Sequence, residues 1–123
     1  LTIMERIGKN KPALVTYGVN IRKFFYVNIE PVQNENGEWS WSQIVLPPGA
    51  LIYDEIVSGL IRLKYEDDVM TSIVNNYLND PDSEDNKSKF FIMQAWRKEA
   101  KSLANQAIQY AKENGLWEEP EDE

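Results

Sequence analysis

The side chains best suited to chemistry in this sequence are its carboxylates and its aromatics. Asp54 beside Glu55, and the run Glu66-Asp67-Asp68, are the candidates for acid–base pairs. Adjacent positions on a helix point to different sides, however, so such neighbours do not face each other across a cleft. Helix capping and the first-turn preference for acids account for them directly. Asp80, Asp82 and Glu84, with Asp85 beside them, suggest an oxygen-rich loop for calcium. The EF-hand spacing, its central glycine and its distant glutamate are missing, and Pro81 interrupts the run. The chain has no cysteine and no histidine. That rules out disulfides, thiolate nucleophiles and zinc–thiolate sites, together with serine–histidine and cysteine–histidine pairs. Gly8 and Gly18 form no phosphate-binding pattern. No catalytic set, metal site or cofactor is expected, and the sequence reads as that of a binding protein.

The aromatics are more suggestive. A β-branched and aromatic run at 22–30 and another at 38–46 flank Asn36-Gly37, a dipeptide that tolerates the positive φ of a two-residue hairpin turn. With those two residues as the loop, Ile29 faces Ile44 and Val27 faces Leu46, and Phe25 joins them on an apolar side. The opposite side then carries Phe24, Tyr26, Asn28, Glu30, Trp39, Trp41 and Gln43. Phe24, Tyr26, Trp39 and Trp41 are the candidate interaction surface, since tryptophan and tyrosine on a polar strand face suit a protein hot spot or sugar stacking. The competing assignment is that helices cover this face as a second side of the core. Pro31 is expected to limit the first strand. A short strand at 12–17, ended near Gly18, completes a small sheet.

Pro47-Pro48-Gly49 ends the sheet, and three helical patterns follow. The first runs near 50–64, with apolar residues broad enough for packing on two sides. The second, about 68–79, repeats the pairs Val69/Met70, Ile73/Val74 and Tyr77/Leu78 every four residues, with Asp67 or Asp68 as its cap. The third is long, from a cap at Ser83 to about Asn114. Its stripe of Met93, Trp96, Ala100, Leu103, Ala107 and Tyr110 is a candidate helix-association seam, although packing within the chain explains it better. Asn114-Gly115 supplies a left-handed C-cap, with Leu116 folding back. The expected architecture is α+β: an antiparallel hairpin or small sheet, then three helices, in a single domain over 1–117. Residues 118–123 read as a disordered acidic tail.

A chain of 123 residues with 42% hydrophobic and 27% charged residues is long enough to bury a core unaided. Residues 1–65 hold seven Lys/Arg against six Asp/Glu, and residues 66–123 hold six against fourteen. So acidic a second half repels phosphate backbones, and no basic cluster compensates in the first, so nucleic acid is not an expected partner. No apolar run reaches membrane-spanning length, and the start lacks the charged-then-apolar pattern of a signal peptide. Leu1 in place of methionine implies trimming. The location these features imply is the cytoplasm.

Four phrases carry a resemblance. Leu46-Pro47-Pro48-Gly49, Tyr53-Asp54-Glu55-Ile56-Val57-Ser58, Asn75-Asn76-Tyr77-Leu78 and Gln94-Ala95-Trp96-Arg97-Lys98-Glu99-Ala100 resemble a family of uncharacterised proteins encoded in phages and prophages of gut anaerobic bacteria. The likeness spans about residues 46–100. It implies a virion-associated or tail-assembly role, with protein partners and self-association, and brings no catalytic residues with it. The alternatives are a carbohydrate-binding module using the hairpin aromatics, or a small phage protein that inhibits a host enzyme through its acidic half. A carboxylate-dependent hydrolase would need paired acids lining a cleft.

Overall fold

Strand and helix signals lie in separate halves of the sequence, and the elements follow in that order. A computed structural model describes residues 2–17, 25–46 and 52–116. Four strands, β1 (Thr2–Gly8), β2 (Val15–Tyr17), β3 (Phe25–Gln33) and β4 (Trp39–Leu46), precede three helices, α1 (Tyr53–Lys64), α2 (Asp67–Asn79) and α3 (Glu84–Glu113). The protein is α+β, with an antiparallel sheet in the order β1-β4-β3-β2 followed by helices, the last one long. Phe24, Gly18, Pro47-Pro48-Gly49 and the acidic tail at 118–123 lie outside the described residues.

The β3–β4 hairpin departs from its expected register twice. The loop has three residues rather than two: the Asn34 amide donates to the Glu38 carbonyl at 2.7 Å, and the Gly37 amide to the Asn34 carbonyl at 3.1 Å. The Asn34 carboxamide oxygen accepts from the Asn36 and Glu38 amides, both at 2.9 Å, and Gly37 takes the positive φ of 81° that the turn requires. The second departure is at Pro31, which does not end the strand. Glu30 and Pro31 together oppose Trp41, a bulge that absorbs the missing proline N–H and puts Glu30 at φ 53°. Val27 therefore faces Ile44 and Ile29 faces Ser42, in place of the expected Ile29–Ile44 and Val27–Leu46 pairs. Two one-residue shifts restore the parity, so the apolar side stays as expected for Val27, Ile29, Ile44 and Leu46, which are all buried. Glu30 is the exception: the bulge turns it toward the helices, where its carboxylate meets Lys64 of α1 at 2.9 Å.

β1 is a strand beyond those expected. It pairs along β4 with Ile3 opposite Ile44 and Gly8 opposite Trp39. Since β1 and β2 are opposite edges of the sheet, residues 9–14 must cross it to join them. They cross on the side away from the helices: the Ala13 carbonyl accepts from the Asn28 side chain at 2.8 Å, and the Lys11 ammonium stands 5.7 Å from the Trp39 ring centroid.

Helices α1 and α3 cover the other face. Ile56 and Leu60 of α1 and Trp96, Ala100, Ala104, Ala107 and Ala111 of α3 join Val15, Val27, Ile29, Ile44 and Leu46 in one core cluster. The alanines let the helix backbone approach closely, as ridges settle into grooves. The α3 C-terminus closes as expected: Gly115 has φ 66°, its amide donates to the Lys112 carbonyl at 3.2 Å, and the Leu116 amide reaches Ala111 at 2.9 Å. At about 1.5 Å per residue, the 30 residues of α3 span roughly 45 Å. That exceeds what the sheet needs, and the N-terminal part of α3 packs with α2, where Tyr77 meets Phe90 and Phe91, so that the two form a helical arm.

Candidate functional site

The sheet face away from the helices is the first candidate. Strand parity places Tyr26, Asn28, Trp39, Trp41 and Gln43 there with Met4, Arg6 and Thr16. No described helix covers it, yet it is not an open platform. Asn28, only 3% exposed, organises it. Its amide nitrogen donates to the Ala13 carbonyl at 2.8 Å and to the Thr16 hydroxyl at 3.1 Å. Its oxygen accepts from the Trp41 indole at 3.0 Å and from the Gln43 amide at 2.9 Å, while the Gln43 oxygen accepts from Arg6 at 3.2 Å. No buried side-chain polar atom among the described residues is left without a partner. The Trp41 ring lies so close over Gly8 that a Cβ there would meet it at 3.0 Å.

Tyr26, Trp39 and Trp41 are each only partly exposed. The expected aromatic set is thus brought together in part, under a strap of chain that uses its polar groups internally. A sugar would have to stack on rings already engaged by Gly8 and Lys11, which weakens that assignment. What closes this face is the strap at 9–14 rather than the helices, and only the strand order reveals it.

The stripe of α3 is spent inside the chain. Met93, Trp96, Ala100 and Ala107 are buried, and Leu103 and Tyr110 pack against the core from its edge. Ala104 and Ala111, which the stripe omitted, are buried with them. Trp96 fixes the junction: its indole donates to the Leu60 carbonyl at 2.9 Å, and Lys64, held by Glu30, sits 3.9 Å from its ring centroid. The seam expected for self-association is therefore occupied by the chain's own sheet and α1, with Met93 beside Met70 and Val74 of α2.

The arm is different. No residue of α2 is buried, although Met70, Ile73, Val74 and Tyr77 turn toward α3 and are partly covered. Tyr77 stacks on Phe90 at 4.3 Å between centroids and meets Phe91 edge-on at 6.0 Å. The tip is closed by Ser83, whose hydroxyl accepts from the Asn86 amide at 3.3 Å. The Asn86 side chain donates to the Asn76 and Asp80 carbonyls at the end of α2 at 3.0 and 3.2 Å. Both sides of the α2–α3 seam remain open. One is lined by Tyr65, Val69, Ile73 and Lys89, the other by Met70, Val74, Met93 and Arg97. Val69, Leu78, Phe91 and Ile92 are 45, 69, 57 and 60% exposed. All four belong to α2 or to the N-terminal part of α3, so the exposed apolar side chains of the helices concentrate there.

The carboxylates stand on first turns and at the arm's tip. Asp54 and Glu55 begin α1, and Asp67 and Asp68 begin α2, where they favour the helix dipole. The cap position of α2 falls to Glu66, with no side-chain cap bond, rather than to Asp67 or Asp68. Asp67 pairs with Arg62 at 3.8 Å, Glu84 with Lys87 at 3.7 Å and Asp85 with Lys89 at 3.0 Å. Among the described residues no group of three or more acids is placed to hold a metal ion, and no helix is long and apolar enough to cross a membrane. No family model, curated protein or solved structure matches the chain.

Proposed function

We propose that the chain is a non-enzymatic protein-interaction module of virion or tail assembly, and that the α2–α3 arm is its contact element. The assembly role rests on the phage-protein resemblance of residues 46–100. The choice of surface rests on one observation: α2 buries none of its residues, while Leu78, Phe91 and Ile92 beside the seam stand more than half exposed. Among the described residues no third element completes the apolar side of this two-helix layer, and a docked partner would supply it. The hairpin aromatics, already under the strap, become part of the scaffold that holds the arm.

The test is co-sedimentation with virus particles from the producing bacterium. Wild-type protein should pellet with particles, and the double variant Leu78→Ser with Phe91→Ser should lose at least about tenfold in affinity, as for two central hot-spot residues. Because both side chains are exposed, circular dichroism should show an unchanged fold. Equal pelleting of variant and wild type would refute the arm as the contact element. Failure of the wild type to pellet, with capture of a host enzyme, would favour the inhibitor alternative instead.

A further inference from the structure

We infer that the arm's partner is a second copy of the chain, paired arm to arm in antiparallel fashion about a two-fold axis at Phe91. This rests on the arm being the contact element and adds what it contacts. Three residues of α3 carry it. Glu84, Phe91 and Lys98 are seven residues apart, close to two full helical turns, so they line one face, and all three are exposed. The charged residues lie at equal distances on either side of the aromatic, about 10 Å along the helix, and are opposite in sign.

That arrangement is self-complementary in one orientation only. With Phe91 against Phe91 at the axis, an antiparallel copy brings Glu84 of each chain opposite Lys98 of the other, twice over. A parallel copy would set Glu84 against Glu84 and Lys98 against Lys98. An interface between identical chains related by a two-fold needs this reciprocity, in which residue i meets j and j meets i. Ser88 and Ala95 flank Phe91 on the same exposed side, and their small side chains permit close helix approach. Tyr77 of α2 packs edge-on against Phe91 at 6.0 Å, so aromatic surface continues onto α2, where Leu78 is 69% exposed. Phe91 and Leu78 would supply the affinity. The exposed charge pairs contribute little of it but fix the orientation. Two arms bury a surface at the small end of stable interfaces, so pairing should be concentration-dependent, on the order of micromolar.

Sedimentation velocity from about 1 to 500 µM, a range bracketing that affinity, tests this on the full chain. Wild type should move from the 14.3 kDa monomer to twice that mass. Phe91→Ser should stay monomeric. Glu84→Lys and Lys98→Glu should each pair at least about tenfold more weakly, because each sets like charges together at both ends. An equimolar mixture of those two variants should recover pairing, because every contact is then between opposite charges. A wild type monomeric throughout, a dimer indifferent to Phe91→Ser, or a mixture that pairs no better than its components would each overturn the proposal. Particle binding that is lost on arm substitution in a monomeric wild type would leave the arm as contact element and remove only the self-pairing.

Discussion

Replacing Asn28 by leucine is expected to destabilise the fold by about 3–5 kcal/mol, a large share of the roughly 5–15 kcal/mol typical of a domain. Leucine fits a buried strand position, and its apolar burial offsets some of the loss. It cannot replace what Asn28 does. The Ala13 carbonyl, the Trp41 indole N–H and the Gln43 amide would all lose the partner they have at 2.8–3.0 Å. The Gln43 amide costs about 1–3 kcal/mol when left buried without one, and the half-buried Trp41 indole and the Ala13 carbonyl, which water can reach, cost less. Asn28→Asp is the sharper variant, being the same size and keeping the acceptors. It removes both donors and sets a carboxylate against the Ala13 carbonyl, so it too should destabilise, with partial recovery in acid where the carboxyl can donate. Urea unfolding at constant m-value measures both. A leucine variant within about 1 kcal/mol of wild type would show that the strap at 9–14 is not held through Asn28.

Trp96→Ala is expected to cost about 3–5 kcal/mol, as for other buried aromatic truncations. The ring is 8% exposed and ties α3 to α1 in three ways: it packs in the core beside α1, its N–H reaches the Leu60 carbonyl, and Lys64 lies over its face. Removing it leaves a cavity at the point where α3 leaves the body to become the arm. Trp96→Phe retains most of the packing and should lose only about 1–2 kcal/mol, from the indole hydrogen bond and a poorer cation–π surface. Thermal unfolding of the two variants distinguishes the contributions. Equal losses would mean that the hydrogen bond, and not the volume, holds the junction.

Much of this was legible in the sequence because it is locally encoded. Ser83 and Gly115 delimit α3 through capping chemistry that spans a few residues, and alternation along β3 and β4 fixed which side of the sheet is apolar. Non-local features were not legible. β1 is a strand because β4 lies beside it, some forty residues further on, whereas Met4, Glu5 and Arg6 taken alone favour helix. The strap follows from the strand order, which no local pattern reveals, and it changes the meaning of Trp41 from an exposed ring to a hydrogen-bonded member of a covered network. The bulge at Glu30 and Pro31 could have been suspected from a proline inside a strand pattern, but its redirection of Glu30 to Lys64 could not. In the helices, a stripe drawn at 3-4 spacing captured Met93, Trp96, Ala100 and Ala107, but from each alanine it stepped three residues to the larger Leu103 and Tyr110, whereas the fully buried row steps four, to Ala104 and Ala111. The arm was visible as an amphipathic α2. What the sequence did not reveal is that this stripe, unlike that of α3, packs without burying any residue of its helix.

Whether the arm or the sheet face meets the partner can be measured by site-specific photocrosslinking during particle assembly. A photoreactive phenylalanine analogue at position 91 and, separately, at position 39 would report on the two surfaces under the same conditions. Covalent adducts from position 91, to a second copy of the chain or to a virion protein, with none from position 39, are the predicted result. Adducts from position 39 with none from position 91 would contradict it, and would return the contact surface to the aromatic hairpin.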